Sequence, residues 1–388
     1  MNPVIARTTK SAGILALLVS AVISSPATSG ASSSPLKVTT LVSGAKLHHS
    51  YFSAGSKTAK SEILSNPDDV TMYGSDIFAV FGNGVGGKGQ ASPDGNRDST
   101  IVELTTSGRV LGQWDVLGHT DGITADTNLG GVLATVNEDG SPSLYLLKVA
   151  GSSAAHSITK YSYNEVLPHL GGTDAIVAEG SRIFVSASSP GMSGKAAPQP
   201  TYPAAYSVSF ASSKMLKASP LFYGESMATN VTVGSATYGK SEKLALTDPD
   251  SNTLVPSTSA HFAGDFLLDS QGDQRQIYVS GAGTSAQKLS VLALSQAVDD
   301  TVFPSGSTTH LVAPDSTNNA IDLVSGSFNS SMALAVASPC DAGSAPSTCP
   351  GPGYPANYLA TLNLRTGVLT KIPVTGPKFE PAGGLVAF

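Results

Sequence analysis

Charge is scarce in this sequence. Asp, Glu, Lys and Arg make up 13% of the 388 residues, about half the ~25% of an ordinary globular protein. Ser, Thr, Gly and Asn supply the polarity instead, which suits an exported β-protein rich in turns and is too apolar for disorder. There are 22 basic residues against 28 acidic ones. No basic patch stands ready to neutralise a phosphate backbone, so a nucleic-acid partner is excluded. Cysteine is limited to Cys340 and Cys349. They are spaced too widely for a catalytic Cys-x-x-Cys, and in an oxidising compartment they are expected to close one small surface loop. Beyond the N-terminus no segment approaches the ~18 apolar residues of a membrane helix, so no stable membrane insertion is expected. No window carries a long 3.6-residue apolar period, which predicts almost no helix.

The first residues read as an export signal. Arg7 and Lys10 precede the apolar run Ile14 to Ile23, and Ser25-Pro26-Ala27 and Ser29-Gly30-Ala31 offer small-residue cleavage sites. This pattern marks residues 1–31 as a secretion signal, with no Cys behind the run for a lipid anchor. Its removal leaves 20 basic residues (22 less Arg7 and Lys10) against 28 acidic ones, a net charge of −8. The mature chain is expected to be secreted and monomeric. A Ser-rich linker and an N-terminal strand, Lys37 to Val42, occupy residues 32–65.

From residue 66 to 388 the chain repeats itself. The clearest unit, His119 to Val149, holds three short apolar strands, Ile123 to Ala125, Val132 to Val136 and Leu144 to Val149, separated by Asp/Asn/Gly turns. Similar units open at Asp69 and Asp174, so that Asp69, Asp121 and Asp174 recur at spacings of 52 and 53 residues. Gly264-Asp265 echoes the same opening later. An antiparallel meander of this kind cannot bury both faces alone, so its copies must stack. Units of about 50 residues predict an all-β fold, a β-propeller of about seven four-stranded antiparallel blades with six as the alternative. The terminal strand Leu385 to Phe388 is placed to complete a blade begun near Lys37 to Val42.

The hairpins LALTDPDSNTLV and HLVAPDSTNNAIDLV and the turn RTGVL resemble blades of NHL and YVTN-type propellers. The openings NPDDVTM, HTDGITAD and GGTDAIVA resemble the blade starts of NHL and gluconolactonase-like propellers. The gluconolactonase-like resemblance implies a calcium ion held at one channel mouth by Glu, Asn and Asp. Asn83 and Asn137 stand where the Asn role would fall, and Glu138 and Glu380 are the candidates for the glutamate.

In a propeller Asp69, Asp121, Asp174 and Asp265 would ring one mouth of the central channel. Converging carboxylates raise one another's pKa unless a cation or donors relieve them. That makes the ring a candidate metal or substrate site, with His119 and His169 upstream as ligands or bases. The competing reading is that each Asp accepts backbone N–H bonds at its own turn or from the next blade. Two loops, Asp94-x-Asn96-x-Asp98 and Asp248-x-Asp250-x-Asn252, alternate oxygen ligands in a way that suits calcium, although the same residues are common in turns.

Other motifs point less far. Gly82 to Gly87 matches G-x-G-x-x-G without the helix that would carry a phosphate, and reads as a hairpin insertion. Gly224-Glu225-Ser226-Met227-Ala228 nearly matches a nucleophile elbow but precedes β or loop sequence. Trp114, Tyr161, Tyr163 and Phe222 would form either a sugar-stacking face or core between blades. Asn230 and Asn329 head glycosylation sequons. The expected function is a non-catalytic scaffold binding an extracellular protein, glycan or small ligand. The alternative is a divalent-metal-dependent hydrolase of lactone or ester type at the channel mouth. No cofactor is required by the sequence, and calcium is the one that the loops and the mouth would accommodate.

Overall fold

The computed structural model describes residues 35–53, 55–190, 199–328, 332–341 and 356–388. The expected export signal, Asn329, Cys349 and with it the expected disulfide loop fall outside these residues. Strands take up about half of the described chain, the rest being turns, loops and two 3₁₀ turns with no α-helix among the described residues, and no helix among them is long and apolar enough to cross a membrane.

The strands form six blades with four-stranded cores, the smaller of the two expected counts; the outer strands of the second and third blades pair into one eight-stranded sheet, and short extra strands extend the fourth and sixth. Blade 1 runs outward through Pro67–Tyr73, Asp76–Phe81, Asp98–Thr105 and Val110–Leu117. Blade 2 follows with Thr120–Asp126, Gly131–Val136, Ser143–Lys148 and Ser157–Tyr163. In blade 3 the order is Ile176–Glu179, Arg182–Ser186, Pro203–Phe210 and Met215–Tyr223. Blade 4 is built from Pro249–Leu254, Phe266–Ser270, Arg275–Ser280 and Lys288–Ala293.

The last two blades are interleaved. From the inner strand of blade 5, Val298–Val302, the chain crosses into blade 6 for His310–Asp315 and Ala320–Ser325. It then returns to finish blade 5 with Ala333–Ala337, Tyr358–Leu362 and Leu369–Lys371. Val386–Ala387 is the innermost strand of blade 6 and Leu36–Ser43 lies beyond Ala320–Ser325. Both ends of the described chain therefore sit in one sheet, which closes the ring by hydrogen bonds between distant segments.

The period of two explains why the blades read as continuous apolar runs. Alternate side chains of a blade strand face opposite neighbours. Phe78 and Val80 pack with Ile123, Val132 and Ala134 of blade 2, whereas Ile77, Ala79 and Phe81 pack with Val312 and Ile321 of blade 6. Each of the six blade-to-blade seams has its own buried apolar cluster, so both faces of every blade are core.

The region from residue 45 to 64, which carries no clear sequence pattern, forms the hairpin His48–Tyr51 and Lys60–Ile63. Buried His49 clamps it to blade 1, 3.0 Å from Glu62 and 3.2 Å from Asp115. Burial opposes charge on His49, but these two carboxylates outweigh it and raise its pKa.

Candidate functional site: an acidic channel mouth

Four of the six inner strands open with the same irregularity. Pro67 pairs with Phe81 and Val70 with Ala79, so Asp68 and Asp69 together oppose one residue. The same two-against-one bulge recurs at Asp121-Gly122, Asp250-Ser251 and Asp299-Asp300. A bulge re-aims the side chain of its extra residue. The first bulge residues Asp68, Asp121, Asp250 and Asp299, with Asp174 just ahead of the inner strand of blade 3, line a cavity of about 180 Å³, which Asp69 and Asp300 also border and which has Gly383 at the sixth position. No Lys or Arg is among its lining residues.

The equivalent of Asp121 in blade 1 is thus Asp68, not Asp69. Asp69 is the second bulge residue and works between blades. Its carboxylate accepts from its own neighbour Val70 N at 2.6 Å and from Ile123 N of blade 2 at 2.7 Å. Asp300 does the same at the other seam, accepting from Leu385 N of blade 6 at 2.6 Å. Asn252 Nδ2 donates to Ala175 O of blade 3 at 2.9 Å. These side chains join inner strands that share no backbone ladder.

The axial carboxyls crowd. Asp68 and Asp174 lie within hydrogen-bonding reach of Asp121, and burial followed by that neighbour's charge holds both well above the usual carboxylate range. Burial and Asp299 do the same to Asp250. Burial pushes Asp299 up to about 7. Asp121, before burial itself, pushes Glu138 up to about 9. Oδ2 of Asp121, a residue only 9% exposed, has no hydrogen-bond partner, and neither has Oδ2 of Asp250. A buried charged oxygen without a donor is expensive to leave so. The cluster needs protons or cations.

One edge of the mouth contains nitrogen. His119 Nε2 lies 3.8 Å from Asp121 Oδ1 and 3.6 Å from Glu138 Oε1, and no other such group of three ligands occurs among the described residues. The Gly82 to Gly87 segment positions this edge. His119 Nδ1 sits 2.8 Å from Val85 O, and Asp139 N donates to Gly87 O at 2.9 Å. A Cβ on Gly87 would lie 2.8 Å from Glu138 Oε1, so a side chain there would push the Glu138 carboxylate aside, and the glycine leaves room for it.

The other expected site residues lie elsewhere. Asp265 stands at the start of the second strand of blade 4, where its carbonyl accepts from Val255 N, at the opposite end of the blade from Asp250. His169 is fully buried, with Nδ1 2.7 Å from the Tyr206 hydroxyl and Nε2 2.7 Å from Gly172 O. Burial pushes its pKa down to about 4, so it is a neutral loop anchor. Asn83 binds Ser65 N, Asp98 O and Thr100 within blade 1. Asn137 accepts from His119 N and donates to Ser141 O. Both hold their turns. Asn96 bonds the backbone of Asp98 on both sides, and Asp94 offers its carbonyl to Lys60 and Tyr51. The triplet at 248–252 is divided, since Asp250 enters the channel, Asn252 ties two blades and Asp248 accepts from Gly272 N. Glu380 pairs with Lys378, outside the cavity lining.

Phe222 is core between blades, whereas Trp114, stacked on His156 at 5.2 Å, and Tyr161 and Tyr163 are partly buried against the blade seams, Tyr161 meeting exposed Phe210 edge-on. Ser226 closes a turn by accepting from Tyr223 N, and a strand follows it instead of the helix of a nucleophile elbow. Asn230 is buried, with Nδ2 donating to Thr237 and Glu242, and is not presented for glycosylation.

Two axial carboxylates, Asp68 and Asp299, escape the sequence reading. The local regularity is an acid that follows Pro, Thr or Val at the opening of a strand, at Pro67, Thr120, Thr173, Pro249 and Val298, and it is weak, because Pro93, Thr247 and Pro314 precede aspartates outside the cavity. The spacing obscures it. The step from Asp174 to Asp250 is 76 residues, longer than the 53 from Asp121 to Asp174 because the strands Met227–Asn230 and Ser241–Lys243 intervene.

No family model matches the chain, and no curated protein is significantly similar to it. Among solved structures, it is similar to a protein of unknown function from Bacteroides caccae (10% identity, 92% of this chain and 99% of the other, TM-score 0.45). It is also similar to a candidate gluconolactonase (10% identity, 89% and 83%, TM-score 0.43) and to a protein from Lactobacillus plantarum (10% identity, 91% and 99%, TM-score 0.43). Such likeness carries no argument about activity. The propeller is read from the strand pairing, and the site from its own residues.

Proposed function

We propose that this protein is an exported propeller that loads a hard divalent cation of the calcium class at its channel mouth and uses that face to bind an oxygen-rich extracellular ligand without transforming it. The observation that carries the reading is the convergence of five carboxylates from five inner strands, with Asp121 Oδ2 and Asp250 Oδ2 unpartnered and no Lys or Arg in the lining. Hard cations take several oxygen ligands in flexible geometry, and extracellular calcium is abundant enough to fill weak sites. Asp121, with Asp68 and Asp174 within hydrogen-bonding reach of it, would be the first ligand of the ion, and Asp250 and Asp299, which do not share one three-ligand cluster with it, would supply negative charge from the cavity wall. Export is supported by Arg7, Lys10 and the apolar run behind them, and the relation to NHL and gluconolactonase-like propellers by the blade-opening motifs.

The test is calcium titration of the mature protein by calorimetry, beside Asp250→Asn and Asp299→Asn. Binding at one equivalent, weakened in both variants, supports the reading; unchanged binding in both refutes it.

One observation favours the hydrolase alternative. Val85 O fixes His119 by Nδ1 and leaves Nε2 turned to the carboxylates of the mouth, where it can take a proton. A bound ion would supply carbonyl polarisation there. Calcium-dependent turnover in a lactone and ester screen, lost in His119→Gln, would decide for the enzyme.

A further inference from the structure

We propose that His119, Asp121 and Glu138 form a second metal site, off the channel axis, that takes a first-row transition ion such as Zn²⁺ in preference to calcium. The first argument is spacing. His119 Nε2 stands 3.6 Å from Glu138 Oε1 and 3.8 Å from Asp121 Oδ1, beyond a good hydrogen bond. Ligands ~2.1 Å from a common tetrahedral ion are separated by ~3.4 Å. The two edges from Nε2 therefore stand a few tenths of an ångström from those of a coordination polyhedron, and ligand atoms of all three residues lie within 4.8 Å of one another.

The second argument is the tautomer. With Nδ1 2.8 Å from Val85 O, the ring proton belongs on Nδ1 and the lone pair on Nε2. A backbone carbonyl on the far nitrogen is how metal-ligating histidines are oriented and made more basic. The third argument is what is left over. The buried Oδ2 of Asp121 has no partner, so this residue has acceptor capacity for the axial set with one oxygen and for His119's side with the other.

Imidazole separates the two donor sets. Nitrogen suits zinc, nickel and copper, whereas an all-oxygen ring suits calcium and magnesium. The inference touches the calcium reading only through Asp121, which both sets share.

The experiment is competitive titration of the mature protein with Zn²⁺ in millimolar calcium, with Co²⁺ absorption as a probe of nitrogen ligation. It is run on the wild type, His119→Phe, Glu138→Gln and Asp250→Asn, each first shown to be folded by far-UV dichroism. Glu138 lies on a turn with a partly exposed side chain, so its variant keeps the test alive if His119→Phe fails to fold. We expect one equivalent of Zn²⁺ on the wild type, weakened roughly 100-fold by His119→Phe and Glu138→Gln. Calcium affinity should stay unchanged in those two and fall in Asp250→Asn, which should retain Zn²⁺. Equal Zn²⁺ binding in His119→Phe or Glu138→Gln and the wild type overturns the inference while leaving the calcium reading intact. His119-dependent Zn²⁺ binding without any calcium binding overturns the calcium reading alone. If neither ion binds, both fall.

Discussion

Removing divalent ions should make the stability of this propeller fall as pH rises from 5 to 8. An acid whose folded pKa is raised keeps its proton in the folded state at a pH where the unfolded chain has lost it. The penalty is absent below the unfolded value, grows with pH and is complete once pH passes the folded value. For Asp299 the window runs from 3.8 to about 7. At ~1.36 kcal/mol per tenfold change in proton affinity, it amounts to about 4 kcal/mol. Glu138, pushed up to about 9, extends the fall to higher pH, with a smaller contribution because its side chain is partly exposed and screened. The folded unit spans Ser34–Phe388, and ~2.1 cal/mol/K per residue gives an unfolding entropy of about 0.75 kcal/mol/K. About two pH units of that window lie above pH 5, ~2.7 kcal/mol, so between pH 5 and 8 Asp299 alone should lower Tm by about 4 °C. A cation stabilises the ionised carboxylates and flattens the curve, adding ~2.7 kcal/mol at a hundredfold excess over its Kd. The assay is a set of thermal melts at pH 5, 6, 7 and 8 in chelator and in calcium. The difference between the two curves is the readout, because groups outside the channel contribute equally to both. Superimposed curves would refute the claim that these carboxylates need a cation.

Asp69→Ala removes an acceptor for two buried N–H groups and should destabilise by about 2–4 kcal/mol without changing metal stoichiometry, as read by urea denaturation and calorimetry. Asp300→Ala should behave alike at the seam of blades 5 and 6. Gly383→Ala should prevent ring closure, because its Cβ would meet Asp68 O at 1.6 Å and φ is +64°; soluble, protease-resistant protein would contradict this. The His49 clamp contributes stability below its unfolded pKa of 6.5 that is lost as pH rises through its raised folded value. Amide exchange in the hairpin Lys60–Ile63 should accordingly accelerate at alkaline pH, and already at neutral pH in His49→Ala.

Much of the fold was legible in the residues because local physics writes it there. The alternation of turn clusters with four- to eight-residue apolar runs marks strands, and strands without helices that repeat every 50 residues must stack radially. Val132 to Val136 and Leu144 to Val149 could be placed to within a residue of the strands Gly131–Val136 and Ser143–Lys148. Strands without an apolar signature were missed, among them Met215–Tyr223, whose burial alternates with exposed Lys217 and Pro220, and Val298–Val302 with its two aspartates. The interleaving of blades 5 and 6 was hidden for another reason. Ala333–Ala337 pairs with Val298–Val302 across the intervening blade 6 strands, and nothing local in either strand names its partner.

The sequence by itself determined that acidic openings precede inner strands, that His119 adjoins one of them, and that nothing in the chain is basic enough to neutralise them. Only the tertiary structure decided which acid of each opening faces the axis. Asp68 and Asp69 are adjacent and chemically identical, yet a two-residue bulge sends one into the channel and the other to Ile123 N of the next blade. Side-chain direction in a strand flips with every residue, so a bulge, which depends on pairing across the sheet, settles function where composition cannot. The same holds for Asp265, which repeats the motif at the wrong end of its blade, and for Asp299, which lacks the apolar context but reaches the mouth.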